Sequence, residues 1–152
     1  MKIWIDARSF SLKEKKFFIE FIKNLKDYNS WDIFNIYWSD LPKINNPQIK
    51  IVESKKYINF LSEQTLFLKK LIEDKNDIII NFDETFPIFY NNKIVKIVNS
   101  MEKILYPDIN NSKFFKKYSF LTTFKINLKK AEKIICFHNK TKEEINEKLN
   151  VD

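Results

Sequence analysis

The sequence contains no glycine in 152 residues. At an average usage of about 7%, a chain of this length lacks glycine by chance only about once in 10⁴ to 10⁵ draws. The absence removes every phosphate cradle built on glycine, because the P-loop and the G-x-G-x-x-G dinucleotide turn both need backbone that no Cβ obstructs. With one cysteine, Cys136, and one histidine, His138, neither a disulfide framework nor a Cys/His zinc site can be assembled. No Cys/His metal site and no cofactor held by a glycine cradle is therefore expected. No apolar run reaches the roughly 18 to 20 residues that span a bilayer. Asp6 also interrupts the apolar start where a signal peptide needs an unbroken run. A reducing, cytoplasmic setting is expected, and association with a membrane surface stays open without support in the sequence. Arginine is nearly missing as well: Arg8 stands alone against 26 lysines.

The formal charge of +7 points first to nucleic acid. Lysine, asparagine, isoleucine and phenylalanine, however, supply 81 of the 152 residues, and all four have AT-rich codons. Codon usage then accounts for the lysines as a solvated coat. With a single arginine and no recognition motif, nucleic acid is not the expected partner. The apolar share of 44% suits one domain that buries roughly two-thirds of its unfolded surface.

Met1 to Ala7 is rich in β-branched and aromatic residues and reads as a first strand. Ser11 and Glu14 form a capping box, and Phe18, Phe21, Ile22 and Leu25 make one apolar stripe of a helix running to about Asp27. Trp31 to Trp38 and Ile49 to Val52 read as strands, separated by a loop with Pro42, Asn45, Asn46 and Pro47. A helix capped by Asn59 or Ser62 should run to about Glu73 and bury Leu61, Leu66, Leu68 and Ile72. Asp77 to Phe82, Lys93 to Val98 and Lys133 to Phe137 are short apolar runs of the kind a parallel sheet buries on both faces. Between the last two, Ser112 to Ala131 spaces Phe115, Phe120, Leu121, Phe124 and Leu128 for an amphipathic crossover helix. Thr141 and Glu144 form a second capping box, opening a helix that turns Ile145 and Leu149 inward. Strands and helices alternate throughout, so the expected fold is a doubly wound, mostly parallel α/β sheet of Rossmann-like type.

In such sheets ligands bind beyond the carboxyl ends of the strands. The residues there are Asp6, Arg8 and Ser9; Asn81, Asp83 and Glu84; Asn99, Ser100 and Glu102; and His138 and Asn139. Arg8 either grips a carboxylate or phosphate through its planar fork or pairs locally with Asp6 or Glu84. His138 is a general-base candidate or a structural residue, and Asp83 with Glu84 is an acid/base pair or a solvated loop. Cys136, in an apolar strand, is expected in the core.

Four segments resemble, in order, the N-terminal domain of glycosyltransferase family 4, whose enzymes have the GT-B fold of two Rossmann-like domains. These are Lys2 to Arg8 (KIWIDAR), Asp77 to Tyr90 (DIIINFDETFPIFY), Ile94 to Pro107 (IVKIVNSMEKILYP) and Lys130 to Val151 (KAEKIICFHNKTKEEINEKLNV). The resemblance implies the acceptor-side domain of an enzyme that moves a sugar from a nucleotide-sugar donor without a metal. The donor would be held by a C-terminal domain absent here. Asn99 and Ser100 stand where the family has His-Asp, Ser9 to Leu12 where it has a glycine-rich loop, and His138 and Asn139 where it has Ser-Glu. No catalytic residue is assigned, and the chain is expected to be inactive alone. Its expected partners are a donor-binding domain or a second copy docked on the exposed crevice. The alternative is a free-standing Rossmann-like module binding a partner chain or a small anion. The missing glycine, and an end near Val151 where the family passes into its donor domain, give a further expectation. They fit a reading-frame fragment from an organism that reads UGA as glycine.

Overall fold

The computed structural model describes residues 1–8, 16, 18–21, 33–38, 47–53, 60–102 and 114–150. Six strands form one sheet: β1 Lys2–Asp6, β2 Ile33–Trp38, β3 Ile49–Glu53, β4 Ile78–Asn81, β5 Lys93–Val98 and β6 Lys133–Cys136. Every neighbouring pair is parallel, in the order β3-β2-β1-β4-β5-β6. The chain therefore winds outward from β1 on one side, returns, and winds outward from β4 on the other. The reversal lies between β1 and β4, so the segments leaving their carboxyl ends diverge, which is the topological switch point of a doubly wound sheet.

Helices make the crossovers that parallel strands require. The segment 60–73, α1, joins β3 to β4 and consists of α-helix Phe60–Ser62, π-helix Glu63–Phe67 and α-helix Leu68–Glu73. Helix α2, Phe114–Lys130, joins β5 to β6, and α3, Asn139–Leu149, follows β6. Residues 18–21 are also helical.

Alternation along each strand sorts the side chains onto two faces. On one face Ile3, Ile5 and Ala7 pack with Phe34, Ile36, Ile49 and Phe18. On the other, Trp4 and Tyr37 stack at 4.4 Å and meet Phe67, Leu71, Ile79, Phe86 and Ile94. Edge-on contacts Tyr37–Phe67, Phe67–Phe86 and Phe86–Tyr90 continue that cluster at ring separations of 5.3, 6.0 and 5.5 Å. Such aromatic pairs add about 0.5–1.5 kcal/mol each beyond area burial. A third cluster of Val98, Met101, Phe124, Leu128, Ile145 and Leu149 extends this second face beneath α2 and α3.

Several expectations need correction. On α1 the buried side chains are Glu63, Gln64, Phe67 and Leu71, whereas Leu61 (72% exposed), Leu66 and Ile72 (62%) face outward, and Leu68 is only half-buried. The π turn and the polar residues beneath it set that phase. β6 is not buried on both faces, since Ile135 and Phe137 are 40% and 49% exposed and Cys136 is half-buried. Phe21 is likewise exposed. Helix α3 begins before its expected capping box. His138 is the N-cap, and Thr141, inside the helix, donates instead to the Asn99 carbonyl at 3.2 Å. The lysine coat has an exception in Lys96, which is 1% exposed. The Ser11/Glu14 box, Ile22, Leu25, Asn59, the loop residues 42, 45 and 46, and the side chain of Phe115 lie outside the described residues.

Candidate functional site

The carboxyl ends of β1, β4 and β5 converge on one buried, charged network at the switch point. β1 delivers Asp6, fully buried because Trp4 and Asp6 alternate onto the face that α1 covers. Arg8 follows two residues later. Its Nε donates to Asp6 Oδ1 at 2.7 Å and its Nη2 to Asp6 Oδ2 at 2.8 Å. The other side of the fork reaches Glu63 on α1, with Nη2 to Oε1 at 2.7 Å and Nη1 to Oε2 at 3.1 Å. The guanidinium lies 3.4 Å above the Phe67 ring, one turn along the same π-helix. A π turn is wider than an α turn and is common at functional positions. Here it carries both the carboxylate and the ring against Arg8.

The network continues across the sheet. Asn81 at the end of β4 donates Nδ2 to Asp6 Oδ2 at 3.0 Å. Lys96 on β5 donates its ammonium to Asn81 Oδ1 and to the backbone carbonyl of Asp83, and sits 5.5 Å from the centre of the Phe124 ring. One chain of charge-assisted hydrogen bonds thus runs Glu63–Arg8–Asp6–Asn81–Lys96–Asp83, linking α1 to three strands.

Burial moves the ionisations. It pulls the Arg8 guanidinium down, but Asp6 and Glu63 outweigh it and hold the group above its ordinary value, so its charge is permanent. Burial pushes the Glu63 carboxyl up, a shift that Arg8 only partly offsets. Lys96 is lowered to about 8 by burial, against the opposing pull of Asp83, Asp6 and Glu84. Nearby, burial and a hydrogen bond to Asp74 push the Tyr37 hydroxyl well up.

The arrangement defines what Arg8 can do. Its fork is committed to two carboxylates and its face to an aromatic ring, so its charge orders the site instead of gripping a ligand. The local-pair reading is what the geometry contains, with Glu63 as the second partner and not Glu84. Asp83 is buried, and its Oδ1 accepts from the Thr85 N–H at 3.4 Å, while Glu84 is half-buried. Asp83 therefore helps shape the loop after β4. Gln64 and Asn127 pin the same loop: Gln64 Oε1 accepts from the Ile88 N–H at 2.7 Å, and both residues donate to the Phe86 carbonyl.

Asn99, Ser100 and Glu102 are exposed beyond β5, where Ser100 Oγ accepts from the Glu102 N–H at 3.0 Å. His138 and Asn139 are exposed at the start of α3, beyond β6, the strand that neighbours the network's Lys96 on β5, and no hydrogen bond from the network reaches their side chains among the described residues. The structure therefore joins Asp6, Arg8, Asn81 and Asp83 in one network and leaves His138 and Asn139 apart from it. Ser9 lies outside the described residues.

The sequence reading missed Glu63 and Lys96. Lys96 had a signal, because it alternates with Ile94 and Val98 and so shares their buried face. Glu63 had none, since its partner lies 55 residues away. No group of three or more His, Cys, Asp or Glu side chains among the described residues could hold a metal ion. No helix among them is long and apolar enough to cross a membrane. A scan against protein-family models and a search of curated proteins both return no match, which leaves the reading of this site to its geometry.

Proposed function

We propose that this chain acts as the acceptor-side, Rossmann-like domain of a nucleotide-sugar-dependent glycosyltransferase, inactive by itself. The supporting observation is positional. The family-like segments coincide with β1, β4, β5 and β6–α3, in an all-parallel sheet whose order reverses between β1 and β4. In such a sheet, an acceptor would lie over the carboxyl edge, where Asn99, Ser100 and Glu102 are exposed and the buried Arg8 network holds the strand ends rigid. Preorganisation of that kind lets a site position a substrate without reordering at the moment of reaction. Asn99 and Ser100 stand where the resembled family has His-Asp, so the imidazole expected there is missing, and nucleotide-sugar chemistry waits on a donor-binding domain. A reducing cytoplasmic compartment suits the single thiol, Cys136. The alternative of a module binding a small anion through Arg8 is disfavoured, because both sides of the guanidinium already hold carboxylates.

The test is a titration of the isotopically labelled chain with neutral mono- and oligosaccharides and with a panel of nucleotide sugars. Saccharides should shift the amides of residues 83, 84 and 99–102, and no nucleotide sugar should be turned over. Silence of that edge toward every saccharide would overturn the acceptor-side reading. Hydrolysis or transfer by the pure chain would overturn its inactivity.

A further inference from the structure

β6 ends the sheet among the described residues: it pairs with β5 on one side and with no strand on the other. The Glu132 N–H donates to the Ile94 carbonyl at 2.9 Å. By alternation, the N–H and C=O groups of Lys133 and Ile135 point away from β5. Along this edge runs a groove of about 570 Å³ floored by Leu128, Ile134, Cys136 and Ile145. On the opposite face of the strand, Ile135 and Phe137 are 40% and 49% exposed. Lys129 and Lys133 line the groove. Glu132, the only carboxylate among its lining residues, lies 3.6 Å from Lys93. Among the described residues, an outward-facing ladder with apolar surface above and below and lysines beside it matches an extended chain better than a compact molecule.

We propose that β6 accepts an extended, acid-flanked peptide segment of a partner protein as an additional strand. A run of about four residues matches Lys133–Cys136, roughly 13 Å. Its backbone pairs with Lys133 and Ile135, which supplies affinity independent of sequence. Its side chains alternate between the Leu128/Ile145 floor and the Ile135/Phe137 face, so both are apolar. Asp or Glu residues beside the run meet Lys129 and Lys133. The same lysines oppose pairing with a second copy of this chain, whose edge and net charge are also positive. Charge complementarity therefore selects a foreign acidic segment.

The experiment uses the full chain with three fluorescein-labelled probes. One is a synthetic peptide of four Val residues flanked by two Glu on each side. The second is its counterpart with Lys in place of Glu, and the third is an oligo-dT strand. The acidic peptide should bind at least tenfold tighter than the basic one and slow hydrogen exchange at the Lys133 and Ile135 amides. The surface double variant Lys129→Glu/Lys133→Glu should weaken it at least tenfold with an unchanged melting temperature. Ile135→Pro removes an outward N–H without touching the charges, and should abolish the protection while circular dichroism reports the retained fold. Equal binding of the two peptides, binding without protection of those amides, or tighter binding of the oligonucleotide would each overturn the proposal.

Discussion

Lys96 carries a charge into the most enclosed part of the molecule, and its cost sets a pH dependence. Its folded-state value of about 8 lies below the ordinary 10.5, so the unfolded chain binds more protons between those limits and stability rises with pH across that window. The full gain is about 3 kcal/mol, complete above pH 10.5 and lost as pH falls through 8. Tyr37 acts in the opposite sense. Its hydroxyl is held up, so the folded state resists ionisation once the unfolded phenol begins to lose its proton near pH 10, and stability falls from there. Urea denaturation at intervals from pH 7 to 11 should therefore show a maximum near pH 10, and Lys96→Met should flatten the rising limb while leaving the fall in place. Arg8 is the second residue with a large expected effect. Arg8→Met leaves Asp6 and Glu63 buried and facing one another, at a cost of about 3–5 kcal/mol. Adding Glu63→Gln should restore part of that loss, measured as the urea midpoint at pH 7, since one of the two stranded charges is then gone.

At the scale of elements, α1 distinguishes packing from hydrophobicity. Phe67 is fully buried against Arg8, Tyr37 and Phe86, so Phe67→Ala should cost about 3–5 kcal/mol. Leu61→Lys and Ile72→Lys, on the outward face, should each change stability by no more than about 0.5 kcal/mol. Thermal melts of the three variants decide this directly, because an α1 packed on its leucines would reverse the ranking. The same helix marks where the sequence stopped being informative. Strands were legible as short β-branched runs, and α2 as a stripe ending in Phe124 and Leu128, because the period of burial repeats in the residues themselves. The buried face of α1 opens with Glu63 and Gln64, which are tolerated there only because Arg8 and the backbone of residues 86–88 receive them. Polar burial secured by a distant partner leaves no local periodicity. Of the candidate site, Asp6, Arg8, Asn81 and Asp83 were legible as strand-end residues, whereas their closure through Glu63 and Lys96 is a tertiary fact.

For the whole molecule, outward Leu61, Leu66, Ile72 and Phe89 give a folded surface with more exposed large apolar groups than its charge would suggest. Sedimentation velocity should show reversible association as concentration rises, reduced in a Leu61→Lys/Ile72→Lys double variant. A strictly monomeric profile at millimolar chain would contradict this. The winding order has a different consequence, in time. β1 is made before the other five described strands yet occupies the middle of the sheet, and its second neighbour, β4, begins about forty residues after β2 ends. At a synthesis rate of about 5–20 residues per second, one edge of that apolar strand waits roughly 2–8 s for its partner. Even the Lys2 N–H, bonded to Asp77 at 2.7 Å, must wait for a residue 75 positions later. The nascent chain thus spends seconds with one edge of a central strand uncovered, open to pairing with any other strand it meets before β4 is made.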